Sequence, residues 1–140
     1  MVDRVDQETR RRIMRAVRGK DTAPELMVRR LLRDMGRSGY RLHRSDIPGS
    51  PDIAWIGRKL AIFIHGCFWH GHDCQHGSRK PRSNREYWRA KLRRNIERDV
   101  RQKEALRMLG WRSLIIWECE LTDSTMVRER LKRFLSARNG

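Results

Sequence analysis

The sequence contains no long apolar run, and this absence excludes a membrane-spanning helix. Its longest run, LAIFI at 60–64, has the length of a strand, whereas a helix that crosses a bilayer needs about 20 residues. The amino terminus, MVDRVDQETRRR, is charged from its third residue and has no signal-peptide core. We therefore expect the protein to lie in the cytoplasm. Internal repeats and separating linkers are also absent, so we expect a single domain over residues 1–140.

Cysteine and acidic residues are scarce as well. The three cysteines of a cytoplasmic chain are expected to be free thiols or metal ligands. Only 17 Asp and Glu oppose 33 Lys and Arg, which leaves a net charge of +16. Half of that charge lies between Arg79 and Arg107, where there are 12 basic and 4 acidic residues. Such an arginine-rich segment favours the phosphates of nucleic acid, and it lacks the wide apolar face that would favour a membrane surface.

The spacing of the apolar residues is typical of an α/β fold, in the order α-α-β-β-β-α-β-α, with helices on both sides of a mixed sheet. A first helix is predicted over Asp6–Arg18. The second begins with Thr22 as its cap, and Glu25, three residues later, completes a capping box. The buried stripe of this second helix is predicted to comprise Leu26, Val28, Leu31, Leu32 and Met35.

The carboxyl-terminal half is predicted to contain two helices with a buried strand, WRSLIIW at 111–117, between them. The longer helix runs from about Arg85 to Leu109, and Gly110 ends it. Its apolar residues recur every four positions at Trp88, Leu92, Ile96 and Val100. The final helix is amphipathic, with Val127, Leu131, Phe134 and Leu135 on its apolar face.

A β-hairpin is predicted in the centre of the chain. Two apolar runs, 53–56 and 60–64, flank a Gly-Arg pair at 57–58, which suits a two-residue turn. A hairpin centred on this pair places Asp52 opposite Phe63. Because a slip of one residue would turn every side chain to the other face of the sheet, the position of Asp52 depends on this register.

All three cysteines, together with a histidine, form a candidate zinc site. Cys67, His72 and Cys74 lie within eight residues, and Cys119 follows the last predicted strand. Three thiolates and one imidazole are a closed tetrahedral set, as in structural zinc sites. The alternative is three unrelated buried thiols, but it does not explain why two of them flank a histidine in a polar loop.

A second metal site is predicted at the open end of the hairpin. The register sets the Asp52 carboxylate beside the backbone carbonyl of Ile64, and two hard oxygens of this kind suit Mg²⁺. His65 and His70 lie nearby in the sequence and could transfer protons near neutral pH. The alternative is that Asp52 only caps a turn and that Glu25 serves only its capping box.

Four motifs together resemble the very-short-patch DNA mismatch endonuclease family: PGSPDIAWI, FIHGCFWHGHDC, REYWRAKLRRNIERD and LGWRSLIIWEC. The resemblance covers most of the chain. It implies a restriction-endonuclease-like fold, with a mixed central sheet flanked by helices and a structural zinc site. It also implies an enzyme that nicks one strand 5′ to the T of a T·G mismatch arising from deamination of 5-methylcytosine. Magnesium-assisted hydrolysis of the phosphodiester would leave a 5′-phosphate.

The resemblance also assigns a role to each site residue. Asp52 and the carbonyl of Ile64 correspond to the magnesium ligands, His65 and His70 to a pair that transfers protons, and Glu25 to a group in the outer metal shell. The zinc ligands of the family match Cys67, His72, Cys74 and Cys119. The residues that match DNA-contacting positions are Phe68, Trp69 and Trp88 as a wedge, Met14 and Val17 in the opposite groove, and Lys91 and Asn95 at the mismatched pair.

A wedge of this kind can select a mismatch energetically. Unstacking a base step costs a few kcal/mol, and stacking on an aromatic ring returns about 1–3 kcal/mol, so a step weakened by a wobble pair is favoured. Residues 1–20 would then form a helix that contacts DNA, and residues 21–140 the catalytic core. The expected partners are double-stranded DNA with a T·G mismatch and mismatch-repair proteins, and we expect a monomer associated with the nucleoid.

Two other functions fit part of the sequence. A zinc-stapled, non-catalytic binder of distorted duplex DNA would share the charge and the wedge, but it would not need Asp52, His65 and His70 near one another. A homing or transposon nuclease of the same fold would normally carry a further specificity domain, for which 140 residues leave little room.

Overall fold

A mixed four-stranded sheet lies at the centre of the computed structural model, which describes residues 22–67 and 85–137. The strands are β1 (Arg41–Leu42), β2 (Ile53–Trp55), β3 (Leu60–His65) and β4 (Arg112–Trp117). They are ordered β1-β2-β3-β4 across the sheet. β2 runs antiparallel to both of its neighbours, β1 and β3, and β4 runs parallel to β3. The predicted helix Asp6–Arg18 lies outside the described residues.

The hairpin of β2 and β3 has the predicted register but a longer loop than predicted. Ile53 pairs with Ile62, as a hairpin centred on 57–58 requires. However, the strands stop at Trp55 and resume at Leu60, so four residues connect them and not two. A two-residue loop needs a left-handed backbone at one or both central residues. Here Lys59 has that backbone (φ 54°), and its N–H donates to a carbonyl three residues earlier at 3.3 Å.

Helix α1 (Ala23–Asp34) begins after its predicted cap, Thr22, whereas the Glu25 carboxylate, predicted to complete a capping box, lies against Arg29 and His43. The Thr22 side chain accepts a hydrogen bond from the N–H of Glu25 at 3.4 Å. Val28 and Leu32 are fully buried, and Leu31 and Met35 pack against the same core. Leu26 is exposed, so its assignment to the buried stripe was wrong. It lies two positions before Val28, which at about 100° per residue is on the far side of the helix.

Helix α2 (Arg85–Met108) has nearly the predicted bounds, and helix α3 (Ser124–Ser136) contains all four residues predicted for the final helix. Gly110 ends α2 with a left-handed backbone (φ 82°), and its N–H donates to the carbonyl of Arg107. All four predicted apolar residues of α3 are buried. In α2, by contrast, Ile96 and Val100 are exposed, at 42% and 64% of their surface. A 3₁₀ helix, Glu118–Thr122, joins β4 to α3.

The two faces of the sheet support separate cores, so helices do lie on both sides. Ile53 belongs to a large cluster with α1 and α3, whereas its neighbour Ala54 belongs to a smaller cluster with Leu106 of α2. The alternation follows from the period of two along a strand. Among the helices that the structure describes, none is both long and apolar enough to cross a membrane.

Candidate active site

Asp52 lies immediately before β2, and its carboxylate is held against the neighbouring strand. Oδ2 accepts a hydrogen bond from the backbone N–H of Ile64 at 2.8 Å. Continuing the hairpin register places Pro51 opposite Ile64, and proline has no N–H to donate across the ladder. Since the N–H and C=O of one strand residue point to the same side, the Ile64 carbonyl faces the Asp52 side of β3. The structure thus brings the Asp52 carboxylate to the backbone of Ile64, while the pairing of this carboxylate with the Ile64 carbonyl as metal ligands stays a prediction.

Glu25 reaches the same place from the first turn of α1. It shares the buried face of this helix with Val28 and Leu32 and is only 1% exposed. Its Oε2 atom lies 3.3 Å from a guanidinium nitrogen of Arg29, one turn further along the helix. The capping of α1 and the burial of Glu25 thus come from one arrangement, which directs a carboxylate toward the end of the sheet.

His43 is the third member of this group, and the sequence analysis did not identify it. It follows β1 directly and stands opposite Asp52, because its N–H donates to the Asp52 carbonyl at 3.1 Å. Its Nε2 atom lies 3.2 Å from Oε2 of Glu25. One ligand atom from each of Glu25, His43 and Asp52 lies within 4.8 Å of the others. The sequence signal for this residue is the histidine of YRLHR at 40–44. The strand before it has only two residues, which are too few to show a periodicity.

The environment of Asp52 disfavours its negative charge. The pKa of this carboxyl is raised to about 7, chiefly by burial and also by the nearby charge of Glu25, while the N–H of Ile64 acts in the opposite direction. Two carboxylates that converge in a poorly solvated place repel each other. A bound divalent cation would relieve that repulsion, and carboxylate oxygens are ligands that Mg²⁺ and Mn²⁺ prefer. The residues present therefore fit a divalent metal.

His65 is buried at the end of β3, where two aromatic rings pack against it. Its ring packs edge-on against Trp117 at 5.2 Å and Phe63 at 5.9 Å between centroids. Among the residues that the structure describes, the group that could share a cation contains Glu25, His43 and Asp52 and not His65. His70, its expected partner in proton transfer, lies outside the described residues.

The parallel strands β3 and β4 bring two of the predicted zinc ligands together. His65 pairs with Trp117 at the ends of these strands, so Cys67 and Cys119, each two residues further on, become neighbours. The N–H of Cys119 donates to the sulfur of Cys67 at 3.4 Å. His72 and Cys74 lie outside the described residues. The structure thus brings together both predicted ligands that it describes.

Helix α2 carries the described part of the predicted DNA surface. Lys91 lies with its ammonium group 5.5 Å from the centre of the Trp88 ring, and Tyr87 packs edge-on against the same ring. Asn95 accepts a hydrogen bond from Arg98 at 3.3 Å. Trp88, Lys91 and Asn95 are all half-buried and follow one another at helical spacing. Phe68, Trp69, Met14 and Val17 lie outside the described residues.

Comparisons with known proteins agree on one family. The family model described as DNA mismatch endonuclease Vsr matches residues 2–76. The chain is 39% identical to the DNA mismatch endonuclease Vsr of Escherichia coli over 141 residues, which covers 96% of this chain and 88% of that protein. It is 47% identical to the type II nicking enzyme V.XorIIP of Xanthomonas oryzae over 135 residues, which covers 96% and 98%.

This chain belongs to the Vsr family. The resemblance predicted from the four sequence motifs is therefore confirmed. Among solved structures, the catalytic domain of the homing endonuclease I-Bth0305I is similar, with a TM-score of 0.58 and 25% identity. The likeness covers 81% of the Vsr-family chain and 94% of that domain. This similarity, together with the mixed sheet and the helices on both of its faces, fits the predicted restriction-endonuclease-like fold.

Proposed function

We propose that this chain is a strand-specific endonuclease that nicks DNA 5′ to the T of a T·G mismatch. Membership of the Vsr family makes it a DNA endonuclease, so DNA is its substrate and the reading as a non-catalytic binder is not retained. The convergence of Glu25, His43 and Asp52 at the end of the sheet is the observation that carries the proposal. A cluster of this kind gives phosphodiester hydrolysis a place to occur.

Asp52 and the carbonyl of Ile64 are the proposed ligands of a catalytic Mg²⁺, and Glu25 supports it from α1. When bound, the ion supplies positive charge to the phosphate and to the attacking oxygen. Asp52 is held in place by the N–H of Ile64, so its orientation is fixed by the backbone of β3. Glu25 is fixed by its burial and by Arg29. The chain therefore holds these oxygen ligands in position before substrate arrives.

His65 and His70 are the proposed proton-transfer pair. The packing of His65 between Phe63 and Trp117 fixes the plane of its imidazole, which is the part of this assignment that the fold supports. An imidazole titrates near neutral pH and can take a proton from water or give one to the leaving oxygen.

A structural zinc ion is proposed at Cys67, His72, Cys74 and Cys119. The hydrogen bond from the N–H of Cys119 to the sulfur of Cys67 supports this assignment, because metal-bound thiolates are stabilised by such donors. With four protein ligands the ion would have no open position. Its role would be to fasten the segment after β3 to the end of β4.

Mismatch selection is proposed to depend on an aromatic wedge. The cation–π contact of Lys91 with Trp88 supports a pre-oriented ring on α2, and Asn95 lies one turn beyond Lys91 on the same helix. Phe68 and Trp69 would complete the wedge, with Met14 and Val17 of the segment 1–20 in the other groove. Residues 21–140 would form the catalytic core of a monomer that acts on nucleoid DNA with mismatch-repair proteins.

A nicking assay on matched duplexes with T·G or T·A at one position tests the proposal. We expect one nick on the T strand of the T·G duplex, dependent on Mg²⁺, and a loss of several orders of magnitude in Asp52→Asn, because the charge on the proposed ligand is removed. Equal cleavage of the two duplexes would contradict mismatch specificity.

Gly57→Ala provides a matched control for this assay. Gly57 lies in the loop at the far end of the hairpin, and a Cβ there would meet no atom within 4 Å. This variant is expected to nick like the wild type, so a comparable loss in both variants would show damage to the fold and not to the site.

A further inference from the structure

His43 is held in an unusual backbone conformation at the candidate site. Its φ of 51° lies in the left-handed region, which is unfavourable for a residue with a side chain. The hydrogen bond from its N–H to the Asp52 carbonyl at 3.1 Å holds it there. Strained residues of this kind cluster at active sites and ligand clamps, where the surrounding structure enforces them.

The distances around His43 match the geometry of ligands that share one ion. With ligand bonds of about 2.1 Å, adjacent ligand atoms of an octahedron lie about 3 Å apart, and opposite ones about 4.2 Å. Nε2 of His43 lies 3.2 Å from Oε2 of Glu25. One ligand atom of Asp52 lies within 4.8 Å of one ligand atom of each of these two residues. An ion placed among these atoms would have the histidine nitrogen and the glutamate oxygen in adjacent positions.

The charges of the described residues around this cluster also favour a bound cation in addition to the ion pair of Arg29 with Glu25. Arg29 faces Glu25 from one side, with its nitrogen 3.3 Å from Oε2. Among the described residues, Arg29 offsets one of the two negative charges that Glu25 and Asp52 carry when ionised. His43 and the two carboxylates approach from three different elements, namely the end of β1, the start of β2 and the first turn of α1. A divalent cation fits the remaining charge and this convergence.

We infer that His43 is a direct ligand of the cation at this site, binding it through Nε2 beside Glu25 and Asp52. The nitrogen makes the site prefer Mn²⁺ to Mg²⁺, because imidazole is a softer ligand than carboxylate, carbonyl or water. The inference rests on the proposed use of a divalent cation by this chain. It adds a nitrogen donor to a set that otherwise contains oxygen, and it brings Glu25 into contact with the ion.

Pulsed electron paramagnetic resonance of Mn²⁺ bound to the zinc-containing protein tests the inference. A directly bound histidine imposes a ¹⁴N modulation on the Mn²⁺ signal. We expect this modulation in the wild type and its loss in His43→Gln, whose amide has a similar reach but offers oxygen to the ion. We also expect the Kd for Mn²⁺ to rise about tenfold or more in this variant, while the Kd for Mg²⁺, measured by competition, changes far less.

His65→Gln is the matched control, because it removes another buried imidazole near the end of β3. It is expected to keep the ¹⁴N modulation. If the wild type shows no modulation, or if His43→Gln retains it, the inference is overturned even where His43→Gln alters affinity or folds poorly. If the wild type nicks a T·G duplex without any divalent cation, the proposed cation chemistry fails as well, so the two failures are distinguishable.

Discussion

At the scale of single residues, Asp52 is a carboxylate that the fold favours in its protonated form. Its pKa is about 7, against an ordinary value of 3.8, chiefly because of burial. Between about pH 4 and pH 7 the folded protein therefore holds a proton that the unfolded chain has released. Since the folded state binds more protons in this interval, the free energy of unfolding contributed by this group falls as the pH rises.

Replacing Asp52 by Asn should remove that pH dependence. Without magnesium, and with zinc retained, we expect Asp52→Asn to be more stable than the wild type near pH 8 by of the order of 1 kcal/mol or more. Near pH 5 the two proteins should differ little, because the aspartate is then protonated and the Asn oxygen can still accept from Ile64. Urea unfolding at both pH values measures the difference. Parallel changes in the two proteins would show that another group is responsible.

The sequence could predict Asp52 but not His43, and the reason is physical. Asp52 follows a proline and opens a strand whose hairpin partner is close in the sequence, so a single register argument places it. His43 follows a strand of two residues, and its proximity to Glu25 depends on how α1 packs against the sheet. Packing between distant elements has no local signal. His65 shows the same limit, because its aromatic neighbour Trp117 comes from β4.

At the scale of elements, the loop before β2 sets the position of the candidate site. Gly49 has a left-handed backbone (φ 84°), and a Cβ there would lie 2.9 Å from the Phe63 ring and 3.4 Å from Gln102 of α2. Only glycine combines this backbone with so close an approach to a ring. The loop is thus pressed between β3 and α2, three residues before Asp52.

Gly49→Ala should therefore disturb both stability and nicking. We expect the free energy of unfolding to fall by about 1–3 kcal/mol, from strain in the backbone and overpacking against Phe63, with a loss of nicking rate beyond that explained by unfolded protein. Thermal unfolding and the T·G nicking assay measure the two effects. Gly57→Ala, which meets open space, is the matched control, and equal effects of the two substitutions would contradict the argument.

The neighbouring ends of β3 and β4 lead to a prediction about zinc. Cys119→Ser should lose the metal, and we expect a large fall in Tm, because zinc binding contributes about 10–16 kcal/mol in peptide systems and a domain has only about 5–15 kcal/mol of stability. Elemental analysis and thermal unfolding test this. Thr122→Val is the control, since it removes only the hydroxyl that donates to the Cys119 carbonyl at 3.0 Å. One zinc per chain in Cys119→Ser would contradict the ligand assignment.

At the scale of the whole molecule, the charge of α2 is expected to control the affinity for DNA. Its exposed arginines, such as Arg94, project from a helix that is weakly buried along most of its length. Arg94→Ala should weaken binding to matched and mismatched duplexes alike and lower the slope of log K against log salt by about 1. Fluorescence anisotropy over a salt series measures this slope. Arg128→Ala on the exposed side of α3 should leave it unchanged; the opposite pattern would place DNA on α3.

The global fold was predictable because each element has its own pattern and the elements follow in a simple order. Apolar spacing placed α3 and both hairpin strands, and a glycine marked the end of α2. The exposure of Ile96 and Val100 could not be foreseen, because a repeat every four residues predicts one side of a helix and not what covers it. The length of the hairpin loop was likewise decided by backbone angles, with Lys59 and not Gly57 in the left-handed region.

The single strand β3 carries Ile64, whose backbone braces Asp52, and leads within three residues to Cys67. A displacement along this strand would shift the Ile64 carbonyl and the Cys67 thiol in the same direction. The proposed magnesium site and the proposed zinc site thus depend on one strand, and we expect a substitution that moves this strand to affect nicking and zinc binding together.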